Sequence, residues 1–398
     1  MDHLKQKAVG FFHRPGAVLH LRSIRKEALP YFFGWIIIFT WLYCYFLPNG
    51  SLLFLDGALL TGYERTTTYI WLIVCPLMTT LTKGVHYVPK TLYSVLLALG
   101  CYMGLLFFDP GSLALALQVV IAACVGHIFA SCGYGFFMLL NNAEKFYSMV
   151  LGILLPKVLL LLNPILAKGL RLIAYSDFIL LCCLLAMLVC TVFFHKEKTF
   201  IPNIGEKPFP KKAWSLMAMV FLVLAFNDVI APLVLSGMKA GSGQPLQLWY
   251  FGGIGLGLAL VLFLQKGFKL NICLMLNLSM ALLAIGFIIS TIAKDYPGTV
   301  LFTAICFGTS YSIGMVNIYY LAGFMAKKLQ NITFYRVGII LSALYYFYGF
   351  GTVQLFGSTL PVISILSVCV VILFLHCLLC LYACSMTANG LTTAIGRM

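Results

Sequence analysis

Apolar blocks of roughly twenty residues recur along the chain about a dozen times, separated by short polar joints that are alternately basic and nearly uncharged. At 1.5 Å per residue, a helical block of that length matches the roughly 30 Å hydrocarbon core of a bilayer. Charged residues make up 9% of the 398 positions and hydrophobic ones 62%, whereas soluble domains carry roughly a quarter charged residues. No soluble packing hides that much apolar surface. Inside lipid the backbone must satisfy its own hydrogen bonds, and blocks of this length do so as helices. The chain reads as an all-α polytopic membrane protein.

The spans fall at about 30–48, 66–82, 90–108, 111–139, 146–166, 176–195, 214–236, 247–265, 270–293, 298–325, 334–355 and 359–386. The second is the least regular, since Glu64, Arg65 and a threonine run open it and Pro76 interrupts it. This even count puts both termini on one side, and the basic residues agree. Of the 26 lysines and arginines, all but Arg65, Lys157, Lys168, Arg171, Lys239 and Lys294 lie in one set of segments. That set comprises the N-terminus, the joints near 83–90, 140–146, 196–213, 266–269 and 326–336, and the C-terminus. The positive-inside rule makes it cytoplasmic, and an odd count would scramble the separation. A multi-pass protein of the cell (inner or plasma) membrane with both termini in the cytoplasm is expected.

The net charge of +15 then needs no nucleic acid as partner, because nucleic-acid binders concentrate Lys and Arg on a soluble domain. The first 28 residues interleave basic positions with Phe11, Phe12, Val18, Leu19, Leu21 and Ile24, a pattern suited to an interfacial helix on the anionic inner leaflet. The long basic stretch, with no small-residue site after the first apolar block, does not read as a cleavable signal. All 14 cysteines lie inside apolar blocks and none in the outer joints, so they read as small hydrophobes and not as a disulfide framework. His376, Cys377, Cys380 and Cys384 share one helix face at a spacing that would suit a soft metal. Packing is the reading adopted there, and no metal or cofactor is expected.

The joint at 195–214 is the longest on the basic side and carries Lys196, Lys198, Lys207, Lys211, Lys212, Pro202, Pro208 and Pro210, the prolines keeping it extended. It divides the chain into a basic N-terminal segment 1–29, a first bundle 30–195, a central loop 196–213, a second bundle 214–386 and a tail 387–398. Two pairs of equivalent joints match. Lys83-Gly84 runs on to Leu97-Ala98-Leu99-Gly100 as Lys266-Gly267 runs on to Leu283-Ala284-Ile285-Gly286, and Phe146-Tyr147-Ser148 corresponds to Phe334-Tyr335-Arg336. An internal duplication follows. With six plus six spans, a long basic central joint and both termini inside, the whole chain resembles the major facilitator superfamily of transporters. The family signature between the second and third spans survives in Thr82-Lys83-Gly84-Val85-His86-Tyr87-Val88-Pro89-Lys90 only as basic character and a glycine, without its acidic member. The glycine-rich Gly-Pro motif of the family's exporters is represented in the fifth span by Gly152 and Pro156 alone. These departures leave the subfamily open. The resemblance implies two six-helix bundles that rock around a central cavity.

Ionisable groups deep in a membrane are costly and mark function by default. Lys157, in the fifth span, and Asp228, in the seventh, have opposite signs and lie one in each half. Either they staple helices together as an ion pair, or they bind substrate or a coupling proton. Pro156 beside Lys157 kinks a helix and frees a carbonyl, which suits a moving gate, and Asn163-Pro164 repeats the interruption. His127 titrates near physiological pH and is a proton-coupling candidate, although a lone membrane histidine is more often simply hydrogen-bonded. Asn227, Asn317 and Gln354 are further polar groups inside spans, as is Gln118. Tyr319 and Tyr345 lie deeper than an interfacial belt and could line a cavity for an amphipathic or aromatic solute. Glu144 and Arg336 sit at inner ends, where a gate salt bridge is expected. Gly133, Gly135, Gly252, Gly253, Gly255 and Gly257 allow close helix approach.

There is no Gly-x-x-x-x-Gly-Lys-Ser/Thr phosphate loop and no catalytic set, so the chain does not read as an enzyme or as an ATP-driven pump. The function expected is a secondary active transporter of a small amphipathic organic solute, proton-coupled and working as a monomer by alternating access, its partners being the solute, protons and the lipid bilayer. The lack of an arginine clamp speaks against polyanionic cargo. The competing readings are a transport-inactive, transporter-like membrane sensor or scaffold, supported by the degenerate signature, and a lipid flippase, suggested by the aromatic content.

Overall fold

The structure of the chain is a computed structural model, described for residues 21–46, 70, 73–80, 84–107, 112–169, 175–196, 218, 222–232, 234–235, 238, 246–268, 272–292, 296, 298–329, 333 and 335–340. Among the described residues all regular structure is helical. Helix α1 spans Leu29–Trp41 and runs on through a π-helical turn at Leu42–Phe46. Helix α2 is Gly84–Phe107, α3 is Ser112–Tyr134 with a π-helical turn at Gly135–Leu139, α4 is Asn142–Gly169 and α5 is Tyr175–Lys196. Helix α6 is Leu246–Phe263 with a π-helical turn at Leu264–Phe268, α7 is Ile272–Ile292 and α8 is Thr299–Leu329. Shorter helical stretches lie at 73–80, at 222–232, which contains a π-helical turn at Phe226–Ile230, and at 335–340.

Within these elements, Lys26–Cys44, Leu113–Leu139, Asn142–Leu162, Leu246–Gly267, Leu274–Ile292 and Thr299–Ala326 are long and apolar enough to cross a bilayer. The eight helices α1 to α8 coincide with expected spans to within a few residues except at the start of α2. The expected spans at 66–82, 214–236 and 334–355 lie only in part among the described residues, and 359–386 lies wholly outside them. Helix α2 begins at Gly84, so most of the joint expected at 83–90 is helical. Pro89 and the basic residues around it read as a break. Yet a proline in the second turn removes only one early backbone bond, and the helix continues past it. Residues 341–398, and with them Tyr345, Gln354 and the His376–Cys384 cluster, lie outside the described residues.

By contacts the chain divides into two compact units. One comprises His20–Phe209 with Ala322–Tyr348, the other Met1–Leu19, Pro210–Leu321 and Gly349–Met398. The division at 209/210 falls in the segment read as the central loop, whereas 322–348, read as part of the second bundle, packs with the N-terminal half.

In the N-terminal unit α1 is the hub, packing against α3, α4 and α5, while α2 packs on α3 and α5. Nearly every α1 side chain is buried, Phe33 being the exposed exception, as expected of a helix surrounded by others. Trp35 stacks on Phe136 at 4.4 Å between ring centroids and donates its indole N–H to Met149 Sδ at 3.1 Å. Lipid is as apolar as these side chains, so such packing stabilises through dispersion and hydrogen bonds and not through escape from water. On α4 the exposed residues Leu151, Leu154, Leu155, Val158, Leu161 and Leu162 form a lipid-facing stripe at helical spacing, and Gly152, Ile153, Pro156 and Lys157 lie on the buried side.

In the C-terminal unit α6 and α8 cross at near backbone contact. A Cβ on Gly257 would lie 2.6 Å from Thr309 O, and one on Gly308 3.0 Å from Ile254 N. Thr309 Oγ1 donates to Gly253 O at 3.1 Å across the same seam. Of the glycines singled out on this helix, Gly253 and Gly257 face the seam, whereas Gly252 and Gly255 face open space.

Candidate functional site

Lys157 and Pro156 lie on the buried face of α4 in the N-terminal unit. The helix runs through Pro156 without interruption, although the missing N–H deprives the Gly152 carbonyl of its usual donor. The Pro156 carbonyl in turn accepts from Cys44 Sγ at 3.8 Å. Lys157 is 4% exposed, and its Nζ stands 5.1 Å from the centroid of the Tyr43 ring, within range of a cation–π contact. Tyr43 and Cys44 both belong to the π-helical turn that ends α1. Such turns re-aim side chains and recur at functional sites. His127, on α3, places Nδ1 2.7 Å from Ser94 Oγ on α2. It therefore has the hydrogen-bonded setting that is ordinary for a membrane histidine.

In the C-terminal unit Asn227 and Asp228 sit in the π-helical turn at Phe226–Ile230, 0% and 1% exposed. Asn227 Nδ2 donates to Val223 O at 2.9 Å, and Ser310 Oγ donates to Asn227 Oδ1 at 2.9 Å. Ser279 Oγ on α7 donates to Ser310 O on α8 at 2.8 Å, and the single Ser310 hydroxyl proton has Ser279 O, at 2.7 Å, as an alternative acceptor to Asn227. Gly314 completes the floor, since a Cβ there would meet Ser279 Oγ at 2.7 Å and Asn227 Nδ2 at 2.9 Å. Asn227 is thus pinned on one side, and Asp228 follows it in the same turn. Asn317 donates to Ile313 O in its own helix at 2.7 Å, and Tyr319 is buried.

A third constellation gathers at the ends that carry the basic joints. Asn141 precedes α4 and forms a capping box with Glu144: Glu144 N donates to Asn141 Oδ1 at 2.9 Å and Asn141 N to Glu144 Oε2 at 2.7 Å. The Glu144 carboxylate, 0% exposed, also takes Arg25 Nε at 3.0 Å, Arg25 Nη2 at 2.9 Å and Arg25 N at 2.9 Å. Its hydrogen bond to Arg25 pushes that guanidinium above its already high value. Arg25 Nη2 reaches Leu139 O at 3.0 Å, and Asn141 Nδ2 reaches Ser23 O at 2.9 Å. Arg336, the other gate candidate, donates Nε to Thr79 O at 2.9 Å. Beside it Tyr335 donates its hydroxyl to Ala130 O and packs edge-on against Tyr134. Gly133 makes room for that ring, a Cβ there lying 3.3 Å from it. Lys145, 0% exposed, donates Nζ to Gly323 O at 2.7 Å.

The sequence candidates are thus distributed over separate places. Lys157 and Pro156 share one and Asn227 and Asp228 a second. Glu144 takes Arg25 and Asn141 as partners while Arg336 reaches Thr79 O, in place of the gate salt bridge expected between them. His127, Asn317 and Tyr319 stand apart. Sequence reasoning missed Arg25, Lys145, Tyr335, Ser279 and Ser310. The lysine and arginine were counted as joint charges that report sidedness; only the match of Phe146-Tyr147-Ser148 with Phe334-Tyr335-Arg336 pointed to that corner.

The helical fold is one found among solved membrane transporters. Two solved structures carry it. The crystal structure of the human organic anion transporter MFSD10 (TETRAN) matches with a TM-score of 0.59 at 12% identity, over 90% of this chain and 100% of that one. That of a bacterial homologue of the iron transporter ferroportin, in an outward-facing state with soaked iron, matches with a TM-score of 0.58 at 13% identity, over 90% and 99%. No protein-family profile matches the sequence, and no curated protein does.

Proposed function

We propose that the chain is a secondary active transporter, not an enzyme, that moves a small amphipathic organic solute across a cell membrane by alternating access, coupled to protons. The observation that carries this reading is the fold, shared over nine-tenths of the chain with two transporters. Among the described residues, Lys157 in one unit is deeply buried against a π-helical turn and Asp228 in the other is deeply buried within one. Buried charges of this kind are expensive to keep without a use. An ammonium facing an aromatic ring suits a solute with one anionic group on an apolar body, and MFSD10 is itself an organic anion transporter. Asp228 is the proposed proton carrier. Asn227, held by Ser310, fixes the turn that presents it. The basic-joint asymmetry supports both termini in the cytoplasm.

The test is uptake of fluorescent amphipathic anions into proteoliposomes with and without an imposed pH gradient. Gradient-driven accumulation, lost on adding a protonophore, is expected. Accumulation that ignores the protonophore and collapses on removing sodium would overturn the coupling, and absence of transport for anionic, neutral and cationic amphiphiles alike would favour a sensor or scaffold.

A further inference from the structure

We infer that Lys145 is a positioning residue of the transport cycle: its ammonium, seated on the Gly323 carbonyl, is the latch that holds the end of α8 on the first turn of α4. The inference rests on the transport reading above but is drawn from a place that reading does not use. Lys145 belongs to a joint whose charges read as solvated, yet it is 0% exposed and spans from the first turn of α4 to α8 at 2.7 Å. A buried ammonium is tolerated only where it is well hydrogen-bonded.

Its neighbours make the contact specific. Glu144, one residue earlier, is bound by Arg25 and Asn141, and the capping box fixes the turn from which Lys145 projects. Gly323 lets the lysine stem lie close: a Cβ there would be 2.9 Å from Lys145 Cδ and 3.2 Å from Cε, so a larger residue displaces the stem. Two further donors follow α8 in the chain, Tyr335 onto Ala130 O and Arg336 onto Thr79 O. All three acceptors are main-chain carbonyls, which neither titrate nor swing away, so release is governed from the donor side. Lys145 is the donor that reaches α8, and opening this end requires that its bond break.

The experiment is hydrogen–deuterium exchange on the full chain in nanodiscs, with Lys145→Met, Gly323→Ala and, as control, Lys266→Met, an exposed lysine of another basic joint. Lys145→Met removes the donor and keeps the stem; Gly323→Ala keeps the lysine and displaces it. Losing one hydrogen bond from a charged group corresponds to about a tenfold rise in exchange or more. That rise is expected in peptides covering the end of α8 for both variants and not for the control. In proteoliposomes Lys145→Met is expected to lower the half-saturation for solute on the basic-joint side relative to the opposite side, because the state open to that side is more populated. A merely structural role would reduce the maximal rate from both sides equally. Unchanged exchange at the end of α8 in either variant, or loss of rate without the shift in half-saturation, would overturn the latch and leave the transport reading intact. Raised exchange in a chain that carries no solute would instead remove the transport reading, and the cycle role with it.

Discussion

Removing the Arg25 side chain tests the ion pair with Glu144 and can be sized from its geometry. The Glu144 carboxylate is wholly buried and receives two guanidinium N–H groups at 2.9–3.0 Å, besides the backbone N–H groups of Arg25 and Asn141. Arg25→Met deletes the guanidinium bonds and leaves the two backbone donors. Breaking a buried pair from one side costs about 3–5 kcal/mol. The Arg25 side chain is 33% exposed, so solvent screens part of that, and about 2–3 kcal/mol is expected. Arg25→Lys keeps the charge but cannot engage both oxygens in a fork, for a loss of about 1 kcal/mol. Glu144→Gln removes the buried charge, so the double variant with Arg25→Met is expected to lose less than the two singles combined, with a coupling of about 1–2 kcal/mol. Unfolding in mixed micelles, followed by tryptophan fluorescence, reads all four corners of the cycle. A loss for Arg25→Met below about 0.5 kcal/mol, the size of an ordinary surface change, refutes the reasoning, as does a coupling near zero.

Gly257→Leu is expected to prevent the α6–α8 crossing, since even a methyl there meets Thr309 O at 2.6 Å, whereas Gly252→Ala, facing open space, leaves folding unchanged; monodispersity in detergent separates the two, and a well-folded Gly257→Leu would discard the seam. For proton coupling, Asp228→Asn is expected to abolish the dependence of uptake on a pH gradient, while His127→Gln, which loses only the contact with Ser94, reduces it little. The opposite ranking would move the proton path to α3. Lys157→Ala and Asp228→Ala are each expected to lower transport at least tenfold, and the double variant to fold but stay inactive. Recovery of transport in the double variant would make the two a structural pair.

Helix positions were legible because the bilayer imposes one length on every span, and a twenty-residue apolar block has few other ways to satisfy its backbone. The start of α2 at Gly84 was not, since Pro89 and its basic neighbours resemble a break. Charge patterning located sides but not partners. It placed Arg25, Lys145 and Arg336 at one set of ends, and nothing in their spacing announces that Arg25 meets Glu144, that Lys145 is fully buried or that Arg336 reaches Thr79. Those contacts join residues more than a hundred positions apart. Asp228 stood out because a carboxylate in an apolar run has no innocent place, whereas Ser279 and Ser310 look like any small polar residue of a membrane helix until the Ser310 hydroxyl is seen to hold Asn227 and the Ser279 hydroxyl to reach Ser310.

The preference for carbonyl acceptors at the basic-joint ends bears on how such a chain changes over generations. Gly323, Ala130, Thr79, Leu139 and Ser23 each contribute an oxygen that belongs to the peptide and not to the side chain. A substitution at Ala130, Thr79, Leu139 or Ser23 that fits the space keeps the bond, so those positions are free to drift without any compensating change at the donor. At these contacts it is the donors that carry the chemistry of the bond, Glu144 being the side-chain acceptor that departs from the pattern. Contacts built this way leave almost no trace of paired residues in the sequence, so a search for covarying side chains would pass over the surface they fasten.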